Sequence, residues 1–257
     1  MTGYSHTLNP YAGCAYACSY CYVRRMPVAL FRGSEWGEWV DVKTNAAERY
    51  KRELVSVKKK GAVRIFMSSS TDPYQPAEYK ERITRKLLEA MADDPPDFLF
   101  VQTRSPLVER DVDVLLRLRD RVRISMTVET DLEEVRREMT PYAPPIAARL
   151  NALRRLTEAG LATQAAVSPV LPSSYRFGEL LSGATRSLCI DDYFMGDGSL
   201  GKRTAQLPVK DIYVRNGWDE WYSPDAYKRV HDRVRAYFEP GRIAISQAGF
   251  MPQPPQG

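Results

Sequence analysis

Strand-like and helix-like segments alternate along most of this chain, and that rhythm restricts the fold more than any other feature of the sequence. Residues 45–60 read as a helix with a polar opening at Thr44 and Gly61 just past its end. Residues 62–68 (AVRIFMS) read as a strand, 76–92 as a helix with proline at its start, and 97–103 (DFLFVQT) as a strand. Leucines and valines at helical spacing mark 106–120, and period-two alternation marks 121–128 (RVRISMTV). A helix over 145–159 stops at Gly160, and a strand over 161–167 runs into Ser168-Pro169. Residues 6–11 supply a first strand, 177–182 a short helix and 186–190 a sixth strand. Later the rhythm loosens. One helix is expected over 223–237, capped by Ser223 with Pro224 at its first position, and a last short strand over 242–246. The proline-rich end, PQPPQG, is expected to fray.

Repeated strand-then-helix units require a parallel sheet with right-handed crossovers. About six such units fit before residue 191, whereas a full barrel spreads eight over roughly 250 residues. The expected fold is therefore α/β: a partial (β/α)6 TIM-type barrel over 1–191, then a short C-terminal extension over 192–257 that closes the substrate cavity. Functional side chains then belong at the C-terminal ends of the strands.

Three of the four cysteines, Cys14, Cys18 and Cys21, fall within eight residues (CAYACSYC), and Cys189 lies far away. Cysteines this local do not read as a disulfide framework; in a cytosolic chain they point to metal. A structural zinc site is almost always four-coordinate, so it would need His6, His231 or Cys189, none at a finger-like spacing. Three thiolates without an obvious fourth suit an iron–sulfur cluster that leaves one iron open. No apolar run approaches the roughly 18–20 residues of a membrane span, and MTGYSHTLNPYAG lacks the basic-then-apolar order of a signal peptide. A cytoplasmic protein with no membrane partner is expected. The net charge of +5, spread along the chain, is compatible with an anionic substrate or nucleic acid and selects neither.

The strand ends carry the other candidates. Ser70, Thr71 and Asp72 follow the second strand, where small hydroxyls and a carboxylate can accept from an ammonium group. Gln75 and Glu78 nearby are weaker candidates. Arg104 follows the third strand, where a guanidinium can pair bidentately with a carboxylate. Ser125, Thr127 and Glu129 alternate along the fourth strand and share the face that a barrel turns inward. An interior glutamate is costly unless paired or used. Val167 ends the fifth strand. The 196–203 loop joins glycines to Lys202 and Arg203, a composition suited to an anionic group. Trp218, Trp221 and Tyr222 either cover the cavity mouth or anchor the C-terminal helix.

The pattern C-x3-C-x2-C, with an aromatic residue before the last cysteine, resembles the signature of radical S-adenosylmethionine (SAM) enzymes. In order, LNPYAGCAYACSYCY, VDVKTN, SSSTDPYQPAE, QTRSP, ISMTVET and EAGLATQAAVSPVLP resemble the spore-photoproduct-lyase-like group, also labelled DNA-repair-photolyase-like, up to about residue 172. The resemblance implies a [4Fe–4S] cluster on Cys14, Cys18 and Cys21, and SAM bound to the open iron through its amino and carboxylate groups. It implies reductive cleavage to a 5′-deoxyadenosyl radical that takes hydrogen from an organic substrate, with a flavodoxin-type or other one-electron reductant as partner. It puts Tyr20 and Val167 near adenine, the Ser70–Asp72 segment at the amino group, and Arg104, where relatives carry lysine, at the carboxylate. Ser125 falls near ribose, Thr127 shares its face, and Glu129 falls near ribose or substrate. One departure matters. Where the lyase has a hydrogen-donating cysteine this chain has Ser69, and an O–H bond is a far poorer hydrogen-atom donor than a thiol. The remaining catalytic candidates are Cys189 and Tyr22, which matches a tyrosine proposed to relay hydrogen. The implied substrate is a small or nucleotide-like molecule, with an anionic form considered. The competing readings are repair or modification of a nucleic-acid base, and a non-catalytic iron–sulfur or zinc-binding protein.

Overall fold

A computed structural model describes residues 2–252, so residues 253–257 of the proline-rich tail lie outside the described residues. Its strands are β1 (His6–Leu8), β2 (Tyr11–Ala12), β3 (Asp41–Val42), β4 (Arg64–Met67), β5 (Phe98–Thr103), β6 (Val122–Thr127), β7 (Ala162–Val167), β8 (Leu188–Ile190) and β9 (Ile243–Ile245). β2 and β3 form a small antiparallel ribbon. The others make one parallel sheet in the order β1-β4-β5-β6-β7-β8-β9. This is the partial TIM-type barrel, and the last short strand expected over 242–246 joins it as a seventh: β9 pairs in parallel with β8, Leu188 opposite Ile243 and Ile190 opposite Ile245.

Parallel strands covered by helices are buried on both faces. Leu99, Phe100 and Val101 on β5 are accordingly 0% exposed. Leu54, Leu87, Leu88, Leu153 and Leu156 from the outer helices join Ile65, Leu99 and Ile124 in one apolar core. Where elements break, the cause is local. The first expected strand stops at Leu8 and resumes at Tyr11, because Pro10 has no N–H for a ladder. The expected 76–92 helix divides into Ala77–Glu81 and Ile83–Asp93 at Arg82, whose φ is 53°. The buried Glu78 carboxylate caps the second piece, accepting from the backbone N–H of Thr84 (2.8 Å) and Arg85 (3.2 Å). Residues 106–120 begin as the 3-10 turn Pro106–Asp111 and continue as the α-helix Val112–Arg117.

The chain's own C-terminal turn, Ser246–Phe250, enters the barrel. The Gln164 side-chain amide donates to the Gly249 carbonyl (3.0 Å) and to Ser125 Oγ (3.1 Å). A Cβ on Gly249 would lie 2.3 Å from Cys189 Sγ, so only glycine passes there. Phe250 meets Phe100 edge-on at 6.1 Å. With its middle filled by this turn, the barrel keeps a wide opening at the C-terminal strand ends. Among the described residues, no helix is long and apolar enough to cross a membrane.

Candidate functional site

A cavity of about 620 Å³ lies at those strand ends, lined by Cys14, Cys18 and Cys21 and by residues following β4, β5, β7 and β8. The cysteine loop is held by side chains rather than by regular structure. Gly13, at φ +83°, starts it, and a Cβ there would stand 2.3 Å from the Trp39 carbonyl oxygen. Gln75, fully buried, accepts from Ala15 N–H (2.9 Å) and donates to the Gly13 carbonyl (3.2 Å). Thr71 donates its hydroxyl to the same carbonyl (2.5 Å). Arg24, just past the last cysteine, donates to the carbonyls of Ala17 (2.7 Å), Cys18 (3.2 Å) and Trp36 (3.3 Å).

Burial pushes all three thiols above their ordinary range, Cys21 to about 11, and neighbouring cysteines add to the rise at Cys14 and Cys21. The thiols are therefore near enough to feel one another. Yet among the described residues no three His, Cys, Asp or Glu side chains converge as a single metal ion would require. A cubane cluster binds each thiolate at a separate iron, so the donor set fits a cluster better than zinc. Such a centre also reverses the effect of burial, since coordinated thiols are deprotonated.

Because Gln75 braces this loop from behind, Gln75→Leu should leave a folded protein that retains iron on the order of 10–100-fold less tightly. Iron per chain after anaerobic reconstitution and gel filtration measures this, and wild-type iron retention would show that the brace is dispensable.

Ser70, Thr71 and Asp72 all line the cavity, but their polar groups are partly engaged. The Asp72 carboxylate, 6% exposed, accepts from Tyr74 N–H (2.9 Å), the Thr103 hydroxyl (2.7 Å) and Arg104 N–H (2.9 Å), tying the end of β4 to β5. Free acceptors lie instead at Gln102, which sequence reasoning passed over, and at Ser68. Gln102 donates through its Nε2 to Thr127 Oγ1 (2.6 Å), and its Oε1 has no partner. Ser68, at φ 74°, also has an unpartnered buried hydroxyl. Strand parity was the signal for Gln102, which stands opposite Ser125 on the inward face.

Glu129 lies behind the cavity and is 2% exposed. It accepts from Arg104 (2.5 Å), from the Tyr20 hydroxyl and from Arg149 (2.7 Å). Burial alone would raise its carboxyl; Arg104 and Arg149 outweigh that and hold it at about 2. Arg104 also donates to Tyr20 (2.8 Å), with the guanidinium 5.9 Å from the ring centre. Glu129 thus orients Tyr20 and Arg104, both of which line the cavity. Arg149, 0% exposed on the helix Ile146–Glu158, completes the network, and nothing in its sequence context separates it from a surface arginine.

Thr127 and Tyr22 also line the cavity. Tyr22 donates to the Ser69 carbonyl (3.2 Å), and burial pushes its phenol up to about 12. Ser125 and Cys189 face the barrel interior but lie against the C-terminal turn, outside the cavity lining. Val167 is 0% exposed in the core, while Ser168 and Pro169, joined by a cis peptide bond, line the cavity. In the 196–203 loop several backbone donors are already taken. Asp197 accepts from Ser199 N–H (2.7 Å), Gly201 N–H (2.9 Å) and the N–H groups of Arg203 and Thr204 (3.1 Å each). The loop's own carboxylate therefore occupies the place expected for an anion. Arg203 lines the cavity and Lys202 is exposed. Tyr222 packs on Tyr193 (6.0 Å) and Trp218 on Tyr213 (6.2 Å), while Arg233 stands over Trp221 (4.9 Å). These aromatics anchor the C-terminal segment, and none of Trp218, Trp221 and Tyr222 lines the cavity.

A family model described as the radical SAM superfamily matches residues 8–173. The uncharacterized protein MJ0683 of Methanocaldococcus jannaschii is 32% identical, over 95% of this chain and 90% of its own length. The uncharacterized protein Rv2578c of Mycobacterium tuberculosis is 30% identical, over 93% of this chain and 68% of its own. Among solved structures, a mutant spore photoproduct lyase with bound AdoMet and dinucleoside spore photoproduct aligns with a TM-score of 0.64 at 16% identity, covering 93% of this chain and 75% of that one. Streptococcus suis SuiB bound to the precursor peptide SuiA aligns with a TM-score of 0.59 at 13% identity, covering 96% of this chain and 49% of that one. These structural likenesses are likenesses of fold. The family match takes in the cysteine loop and the ends of β4, β5, β6 and β7, and on it the chain belongs to the radical SAM superfamily.

Proposed function

We propose that this chain is a radical SAM enzyme that holds a [4Fe–4S] cluster on Cys14, Cys18 and Cys21, binds SAM beside it, and takes hydrogen from an organic substrate in the same cavity. The observation that carries this reading is three thiols on one braced loop bordering a cavity of about 620 Å³. When bound and reduced by a flavodoxin-type or other one-electron donor, the cluster supplies the electron that splits SAM into methionine and a 5′-deoxyadenosyl radical.

The chain's own residues then bind and orient. Tyr20 and Arg104, fixed by Glu129, meet adenine and the SAM carboxylate. Ser68, Ser70 and the open Gln102 carbonyl offer acceptors for the ammonium and the ribose hydroxyls. Thr71 and Asp72 act chiefly by holding the loop and the strand ends in place. Tyr22, beside Cys21 on the cavity lining, is the candidate for relaying hydrogen. Met195, Gly196 and Arg203 line the cavity from the 192–257 extension, which supports a closing role for it.

The test is anaerobic reconstitution with iron and sulfide, reduction with dithionite, and addition of SAM. One cluster per chain and release of 5′-deoxyadenosine with methionine are expected. A fully reconstituted protein that leaves SAM intact would overturn the proposal.

A further inference from the structure

Asp191 and Asp192 follow β8 and line the cavity, yet they are only 5% and 4% exposed. Asp192 uses Oδ1 to accept from Phe194 N–H (2.8 Å) and Met195 N–H (2.9 Å), while its buried Oδ2 has no hydrogen-bond partner. Asp191 Oδ1 is likewise unpartnered. A Cβ on Gly196 would stand 2.2 Å from Asp191 Oδ2, so the glycine makes room for this carboxylate. Burial, with Asp192 adding to it against a hydrogen bond from Ser246, pushes Asp191 up to about 6, and burial raises Asp192 too. A rise of this kind marks charge that lacks a counter-ion.

The rest of the lining does not supply one. Its acidic residues are Asp72, Asp191, Asp192 and Asp197, and its basic residues are Arg104 and Arg203. Asp72 and Asp197 accept from protein donors, Arg104 is paired with Glu129, and Arg203 donates back to the Asp197 carbonyl (2.8 Å). Arg203 keeps its charge, since a carbonyl does not neutralise it, but no basic side chain lowers the carboxyls of Asp191 and Asp192, so theirs are the open carboxylates in the cavity. Tyr22 feels the charge of both Cys21 and Asp191, so the pair lies near the cluster loop.

We propose that Asp191 and Asp192 form a subsite for a cationic, donor-rich group of the substrate, an ammonium or a guanidinium, and hold it in the cavity shared with SAM. The proposal rests on the radical SAM reading for what happens next to the bound substrate, but the subsite itself is a property of the two carboxylates. The ammonium of SAM is the other possible source of such a group, and the experiment separates the two.

Agmatine, which carries a guanidinium and an ammonium, is titrated calorimetrically into the reconstituted protein with SAM present; glutarate serves as an anion of similar length. Agmatine should bind and glutarate should not. Asp191→Asn and Asp192→Asn preserve shape, and the asparagine carbonyl can keep the cap at Phe194 and Met195. Each should weaken agmatine about tenfold or more and change SAM affinity by less than about twofold, the smallest shift that matters against a tenfold effect. The subsite is disproved if wild-type protein takes up glutarate and not agmatine, if both variants bind agmatine as wild type does, or if the loss falls on SAM instead. SAM cleavage is read in the same samples. Agmatine binding without SAM cleavage would remove the radical reading and leave the subsite standing; cleavage without agmatine binding would do the reverse.

Discussion

Cys14→Ala, Cys18→Ala and Cys21→Ala should each yield a folded chain that retains no cluster after anaerobic reconstitution and forms no detectable 5′-deoxyadenosine. In the proposed cluster each thiolate would bind its own iron, so no neighbour could replace a lost one, and no three potential ligands among the described residues converge on one point. The fold should survive because the loop is held by Gln75, Thr71 and Arg24, whose hydrogen bonds end on backbone groups and not on the cysteines' sulfur atoms. Iron and sulfide per chain, visible absorbance and circular dichroism together measure this. Wild-type SAM cleavage in any one variant would overturn the assignment. A variant that loses both iron and secondary structure would instead show the cluster to be part of the folding energy.

Much of the barrel was legible because its signals are periodic. β5, β6 and β7 fall within the expected strands, since β5 is an apolar run, β6 alternates with period two and β7 lies between Gly160 and Ser168-Pro169. The cysteines and the cavity position of Thr127 were legible for the same reason: loop spacing and strand parity survive any detail of packing. What escaped was the partnering of polar side chains. Thr71 and Asp72 read as ligands for an ammonium group, but their hydrogen bonds reach Gly13 and Thr103, 58 and 31 residues away in sequence. No local pattern encodes such a distance. The same holds for the turn Ser246–Phe250, which seals Ser125 and Cys189 from the cavity by threading a glycine between larger neighbours. Asp191 and Asp192 carry no spacing or motif that marks them in the sequence, and only their burial sets them apart.

Glu129→Gln should destabilise the protein by about 3–5 kcal/mol, because it removes one side of a buried charge network and leaves the others uncompensated. Arg149 is 0% exposed, so it cannot turn to water for relief. For a chain of this size such a change lowers the melting temperature by roughly 6–20 °C. The effect has a pH signature. The Glu129 carboxyl is held at about 2, below its ordinary value of 4.5, by Arg104 and Arg149 acting against burial. A depressed carboxyl contributes stability that is full above the ordinary value and is lost as pH falls through the folded value. The gap between wild type and variant should therefore be widest near neutral pH and should narrow as pH drops from about 4.5 toward 2. Thermal melts by circular dichroism across that range measure it, and equal melting temperatures at pH 7 would show that the network contributes nothing. Because Glu129 also fixes Tyr20 and Arg104, the variant should bind SAM more weakly even where it remains folded. The glutamate first read as a ligand for ribose or substrate thus serves the cavity from behind, through the two side chains it holds in place.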